Sequence, residues 1–151
     1  MGIRAGDVAP DFTLPKQDGS PVSLRDLLSK GAVVLYFYPK DDTPGCTAEA
    51  CSFRDAYEDF KDAGAEVVGI SSDSADDHKA FADKHRLPFT LVADSGGKVR
   101  KAYGVPSTFG LFPGRVTYVI DGKGIVRHVF DSQLNATKHV REALGALKKG
   151  A

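Results

Sequence analysis

Cys46 and Cys51 are the only two cysteines in this 151-residue chain, and they follow directly on the run Pro39-Lys40-Asp41-Asp42-Thr43-Pro44-Gly45. The segment Thr43-Pro44-Gly45-Cys46 reads as the start of a helix. Thr43 suits the N-cap, and Pro44 suits the first helical position, where its missing N–H costs nothing. Cys46 then falls at the third helical position, inside the first turn. There its sulfur meets free backbone N–H groups and the positive end of the helix dipole. Both favour the thiolate, which is the nucleophilic form of the side chain. The Thr43 hydroxyl can either cap the backbone or turn toward the sulfur. The bland alternative is a Cys46 that packs as a small hydrophobe, as most free cysteines do. Zinc is a weaker competitor, because the spacing is C-x4-C and His78, His85, His128 and His139 form no local ligand pair. A phosphatase-type loop would need Arg six residues after the cysteine. Position 52 is Ser, and the nearest arginine is Arg54.

The second thiol poses a geometric problem. On one regular helix a five-residue step gives ~7.5 Å of rise and ~140° of rotation, so the two Cα atoms lie about 8 to 9 Å apart. A disulfide spans at most ~7 Å between Cα atoms. A bridge therefore requires the first turns of the helix to unwind, which Pro44, Gly45 and the helix-terminal position favour. The competing possibility is a Cys51 that is merely packed and never pairs.

Several elements must position these residues. Phe12 to Leu14 reads as a short strand, followed by a turn at Gln17-Asp18-Gly19-Ser20. Ser23-Leu-Arg-Asp26 opens a short helix through Leu28, with Gly31 beyond its end. Ala32 to Tyr38 is a continuous apolar, β-rich run, the signature of a strand covered on both faces. The cysteine helix is expected to run on to about Ala63 with an apolar stripe of Ala50, Phe53, Tyr57 and Phe60. Glu66 to Ser71 is a second buried strand, Ser74 caps a helix through about His85, and Phe89 to Ala93 is a strand again. Val99 to Tyr103 suggests a short helix. Val116–Ile120 and Ile125–Phe130 flank Asp121-Gly122-Lys-Gly124 as a hairpin. A last helix from about residues 135–137 to Lys148 faces inward with Val140, Leu144 and Leu147. This alternation predicts one α/β domain over residues 1–151 with a mixed β-sheet flanked by helices, a layout like the thioredoxin fold with added N-terminal strands.

Composition narrows the function classes. With 20 basic and 20 acidic residues the formal net charge is zero, and no long basic run occurs, so neither nucleic acid nor an anionic membrane is an expected partner. The longest apolar stretch, about Ala32 to Tyr38, is far too short to span a bilayer. The N-terminal residues hold no hydrophobic signal core. A reducing, cytoplasmic setting is the default expectation, with a plastid as the alternative if a targeting segment has been removed.

Pro39-x3-Thr43-x2-Cys46 resembles the active-site signature of the peroxiredoxins, and Cys46-x4-Cys51 resembles the bacterioferritin-comigratory-protein/peroxiredoxin Q group within them. The likeness extends from Gly6-Asp-Val-Ala-Pro-Asp-Phe-Thr-Leu14 through Tyr103-Gly-Val-Pro106 and Pro113-Gly-Arg-Val-Thr-Tyr-Val-Ile-Asp121 to the last helix. It implies a thiol peroxidase that uses no metal, flavin or haem. Cys46 would be the peroxidatic cysteine, oxidised by peroxide to a sulfenic acid. Cys51 would resolve that acid to an intramolecular disulfide, which thioredoxin or a similar dithiol protein reduces. The resemblance further implies that Thr43 bonds the thiolate and the peroxide, Arg115 sits beside the sulfur, Pro39 shields it, and Glu49 orients the arginine. A monomer is expected, since an internal resolving thiol removes the need for a second subunit. A guanidinium suits this role because it donates fixed hydrogen bonds where charge develops.

Some residues keep plainer readings. Arg54 is the rival guanidinium, and Asp55 or Glu58 could hold it at the surface. Most aromatics build the core, but Phe109, Leu111 and Phe112 lie in a Gly- and Pro-rich loop where they could wall the site or contact a reductant. Two other functions start from the same chemistry. A thioredoxin-like thiol–disulfide oxidoreductase would want C-x-x-C, which is absent here. A redox-sensing or chaperone module would pass the oxidation to a partner instead of turning over peroxide.

Overall fold

A computed structural model of the chain describes residues 2–105, 107–108, 112–132 and 135–149. The chain opens with β1 (Thr13–Pro15), β2 (Pro21–Ser23) and α1 (Leu24–Leu28). Next come β3 (Ala32–Phe37), α2 (Pro44–Asp55), α3 (Tyr57–Asp62), β4 (Ala65–Ser71) and α4 (Ala75–His85). The second half holds β5 (Thr90–Ala93), α5 (Lys98–Tyr103), β6 (Ser107–Thr108), β7 (Phe112–Pro113), β8 (Val116–Ile120), β9 (Val126–Asp131) and α6 (Lys138–Lys148). Five strands form the central sheet in the order β5-β4-β3-β8-β9. The first three are parallel, and β8 and β9 are antiparallel additions.

Strand β3 sits in the middle of this sheet and is buried throughout, as its unbroken apolar run predicts. Successive side chains alternate between the faces. Val34, Tyr36 and Tyr38 meet α2, α3, α4 and α6 through Ala50, Phe53, Phe60, Phe81 and Leu147. Val33, Leu35 and Phe37 meet α1 and α5 on the other face through Leu24, Val99 and Tyr103. Each such side chain, fully buried, contributes about 1.5–3 kcal/mol of transfer free energy. The strand's C-terminal end is thereby fixed, and the chain leaves it into the cysteine loop.

The local signals for helix starts hold. Ser23 Oγ accepts from the Asp26 N–H, and Ser74 Oγ accepts from the Asp77 N–H. Asp121 Oδ1 accepts from the N–H groups of Lys123 and Ile125 and shapes the β8–β9 turn. Three features differ from expectation. The first strand lies one residue later than predicted and pairs with β2, a strand that the sequence does not announce on the approach to α1. A short β6–β7 ladder also forms in what reads as a loop. Finally, the helix expected to run to Ala63 breaks at Ala56 (φ −98°, ψ 5°) into α2 and α3. On either side of the break Phe53 and Phe60 both reach the core, with ring centroids 5.6 Å apart, while the Tyr57 hydroxyl turns to Glu66 on β4 at 2.8 Å.

Candidate active site

Loop 39–43 carries the chain from β3 into α2. Thr43 is the N-cap with extended backbone (φ −99°, ψ 153°), and Pro44 occupies the first helical position. Cys46 therefore lies at the third, as the spacing predicts, and is 1% exposed. No side chain caps the helix. The Thr43 hydroxyl takes neither of the two courses expected of it, and instead donates to the Lys40 carbonyl at 2.9 Å. Its one proton is thus committed, and only its lone pairs remain for an incoming donor. Pro39 is half-buried at the head of the loop.

Arg115 enters from the residue before β8 and is 4% exposed. Its planar fork reaches two groups on α2. Nη2 donates to Cys46 Sγ at 3.4 Å, and Nη1 donates to Glu49 Oε1 at 2.6 Å. Gly45 is what permits this approach, since a Cβ there would stand 3.1 Å from Nη2. Arg54 points elsewhere, to Asp55 at 3.0 Å and to the His85 carbonyl at 2.8 Å. The structure thus brings together Cys46, Arg115 and Glu49, with Thr43 and Pro39 on the adjoining loop.

Glu49 is fully buried one turn after Cys46. Burial lifts its carboxyl to about 8, against the opposing pull of Arg115. Its Oε2 has no hydrogen-bond partner. His139 Nδ1 on α6 lies 3.6 Å from it. His139 Nε2 lies 2.8 Å from the Ser132 carbonyl and must carry the proton, so Nδ1 accepts from the Thr117 hydroxyl at 2.8 Å. Burial holds this imidazole down at about 4, so it stays neutral. Sequence reasoning missed Thr117 and His139, because a lone histidine on a helix and a threonine on a strand share no spacing signal.

Cys51 lies on the same helix, partly buried, and both thiols are free. Helix α2 is continuous from Pro44 to Asp55, so helical geometry separates the two Cα atoms by about 8 to 9 Å. The pair cannot bridge in this state. Phe109 and Leu111 lie outside the described residues, as does the Phe112 side chain. Among the described residues no helix is long and apolar enough to cross a membrane.

Known proteins share this architecture. The AhpC/TSA family matches residues 5–129. A chloroplastic peroxiredoxin Q of Triticum aestivum is 58% identical over 143 residues, covering 94% of this chain and 65% of its own length. The corresponding protein of Sedum lineare is 56% identical, covering 97% of this chain and 78% of its own. The crystal structure of peroxidoxin BcpB from Mycobacterium tuberculosis superposes with a TM-score of 0.92 at 39% identity, covering 99% of both chains. That of a cysteine-to-serine mutant of Xylella fastidiosa PrxQ gives 0.90 at 29% identity, covering 99% of this chain and 98% of the other. A free cysteine in the first turn of α2, a buried arginine at its sulfur and these likenesses agree, and the chain belongs to the AhpC/TSA family, among the Q-type peroxiredoxins, thioredoxin-fold enzymes that reduce peroxides with a cysteine thiol.

Proposed function

We propose that Cys46 is the peroxidatic cysteine and Cys51 the resolving one, in a cycle held within one chain. The Cys46 thiolate attacks the terminal oxygen of a hydroperoxide, ROOH. An S–O bond forms, the O–O bond breaks, and RO⁻ leaves to take a proton as ROH. Sulfur is oxidised to the sulfenic acid. Once the first turns of α2 unwind, the Cys51 sulfur attacks Sγ of Cys46 and water leaves, giving the disulfide. A dithiol protein of the thioredoxin type then reduces that bond by exchange and is itself oxidised.

The observation that carries this reading is the Arg115 fork. One arm rests on the Cys46 sulfur and the other is held by Glu49, so the donor already stands where negative charge shifts from sulfur to the leaving oxygen. Glu49 aims the guanidinium. Thr43, its proton given to Lys40, offers lone pairs to the peroxide O–H. Pro39 limits water at the rim. The substrates are hydrogen peroxide and organic hydroperoxides, and no metal, flavin or haem takes part. The chain works as a monomer, as a single-domain enzyme. Of the two locations expected, the plastid has the support of the plant relatives' names.

The test is peroxide consumption coupled to thioredoxin oxidation. Cys46→Ser abolishes it. Cys51→Ser still consumes one equivalent but stops at the sulfenic acid unless an external thiol is added. One equivalent of peroxide lowers the wild-type mass by two hydrogens without forming a dimer. Full turnover by Cys46→Ser would overturn the assignment.

A further inference from the structure

Behind loop 39–43 lies a second buried polar cluster, made of residues that the peroxide chemistry does not use. Its centre is Asp41, 7% exposed, and its outer member is His78 on α4, fully buried. His78 Nε2 sits 2.9 Å from the Val92 carbonyl. A carbonyl only accepts, so Nε2 carries a proton. His78 Nδ1 sits 2.6 Å from Asp41 Oδ2. Two atoms with lone pairs approach that closely only with a proton between them, so the ring and the carboxyl share one. The other carboxyl oxygen, Oδ1, accepts from the Tyr38 hydroxyl at 2.5 Å. The Asp41 main-chain N–H donates to Asp73 Oδ2 at 2.8 Å, and Asp73 also accepts from Ser71 Oγ at 2.6 Å. The carboxyls of Asp41 and Asp73 and the His78 ring lie close together, but each facing atom is engaged within the protein.

The position of this cluster in the chain gives it meaning. Asp41 stands two residues after Pro39 and two before Thr43, so it sits in the loop that decides where α2 begins. The following residue, Asp42, adopts a left-handed backbone (φ 61°), uncommon for residues other than glycine, though aspartate tolerates it. Its carboxylate is tied to Lys84 at 3.0 Å, again on α4. The same helix therefore grips the loop at two successive residues. The reaction needs that loop in two conditions. Peroxide must meet an intact first turn against Arg115, whereas disulfide closure needs the turn unwound.

We propose that His78 is a positioning residue for the peroxide step: by holding the Asp41 carboxyl it fixes loop 39–43 and favours the intact first turn of α2 over the unwound one. This rests on Cys46 being the peroxidatic cysteine. The clamp lies upstream of Pro44, so it fixes one end of the segment that unwinds.

Two substitutions separate the bonds of the ring. His78→Asn places an amide near Nδ1 and keeps the bond to Asp41. His78→Gln places one near Nε2 and keeps only the bond to Val92. A third, Asp41→Asn, can donate to Nδ1 of a neutral His78 and still accept from Tyr38, so all three side-chain bonds survive. Reduced protein is mixed with hydrogen peroxide and quenched with a thiol-blocking reagent. Mass analysis then gives the rate of sulfenic acid formation and the rate of disulfide closure separately. His78→Gln is expected to slow the first step by about tenfold or more, the scale on which small misplacements act, without slowing the second. His78→Asn and Asp41→Asn are expected to stay within about threefold of wild type in both steps. Equal rates for His78→Gln and His78→Asn would overturn the proposal, as would equal slowing of both steps. Should His78→Gln fail to fold, Asp41→Ala against Asp41→Asn makes the same comparison. Cys46→Ser run alongside keeps the two ideas apart. A dead Cys46→Ser with an unaffected His78→Gln sinks only the clamp, whereas an active Cys46→Ser sinks the reading beneath it.

Discussion

Replacing Arg115 is the sharpest test of the site. The guanidinium spans two acceptors on α2, with Nη2 3.4 Å from Cys46 Sγ and Nη1 2.6 Å from Glu49 Oε1. Arg115→Met removes both contacts. Losing one preorganised donor to a developing charge costs about 2.7–4 kcal/mol of transition-state stabilisation. That corresponds to a fall of about 10²–10³ in the second-order rate constant with peroxide. Arg115→Lys should fall between wild type and Met, because one ammonium cannot reproduce a fork aimed at two atoms. The variant should still fold at neutral pH. Burial already lifts Glu49 to about 8, and without the guanidinium's opposing pull it rises further, so no bare buried carboxylate is left. The chain has no tryptophan, so the assay is best read by quenched flow and mass analysis of the Cys46 sulfenic acid rather than by indole fluorescence. Arg115→Met reacting within about fivefold of wild type would refute the role given to the fork.

Gly45→Ala places a Cβ 3.1 Å from Arg115 Nη2 on a backbone that alanine tolerates, so it should slow the peroxide step several-fold while changing stability little, as a melting curve beside the rate would show. Amide exchange across Thr43 to Arg54 should be slow in the reduced protein and fast at the N-terminal end of α2 in the disulfide form; equal protection in both would exclude unwinding. Glu49 binds its proton more tightly in the folded state (about 8) than in the unfolded chain (4.5), so its contribution is full at low pH and is lost as pH rises toward 8. His139 does the opposite: its folded value of about 4 lies below 6.5, so its contribution grows as pH rises from 4 to 6.5. The two oppose each other up to pH 6.5, above which the Glu49 decline stands alone. Urea midpoints for Glu49→Gln should therefore lose the fall between pH 6.5 and 8, and a persisting fall would count against the buried-carboxyl assignment.

The parts of the site that sequence made legible are those encoded locally. Thr43-Pro44-Gly45-Cys46 specifies a helix start because cap preference, the fixed proline φ and helix polarity act within four residues. The buried character of β3 follows from one apolar run. Arg115 is different. It lies 69 residues from Cys46, and only the family likeness singled it out. The Thr43 hydroxyl escapes local rules because its choice between backbone donors and the Lys40 carbonyl depends on the loop's path. The Ala56 break has no glycine or proline to announce it. The buried histidines were invisible for a related reason. His78 and His139 each find partners on other elements, 37 residues away at Asp41 and 22 away at Thr117.

The two arms of Arg115 also differ in what they require of the sulfur. Only one touches Cys46, and the other is anchored to Glu49, a full turn deeper in α2. In the proposed cycle, when the thiol swings out to meet Cys51, the guanidinium keeps its mooring as long as that deeper turn holds. The vacated berth then retains its shape and its charge. After reduction the returning cysteine meets a finished mould rather than a collapsed one, and each new cycle starts from the same geometry.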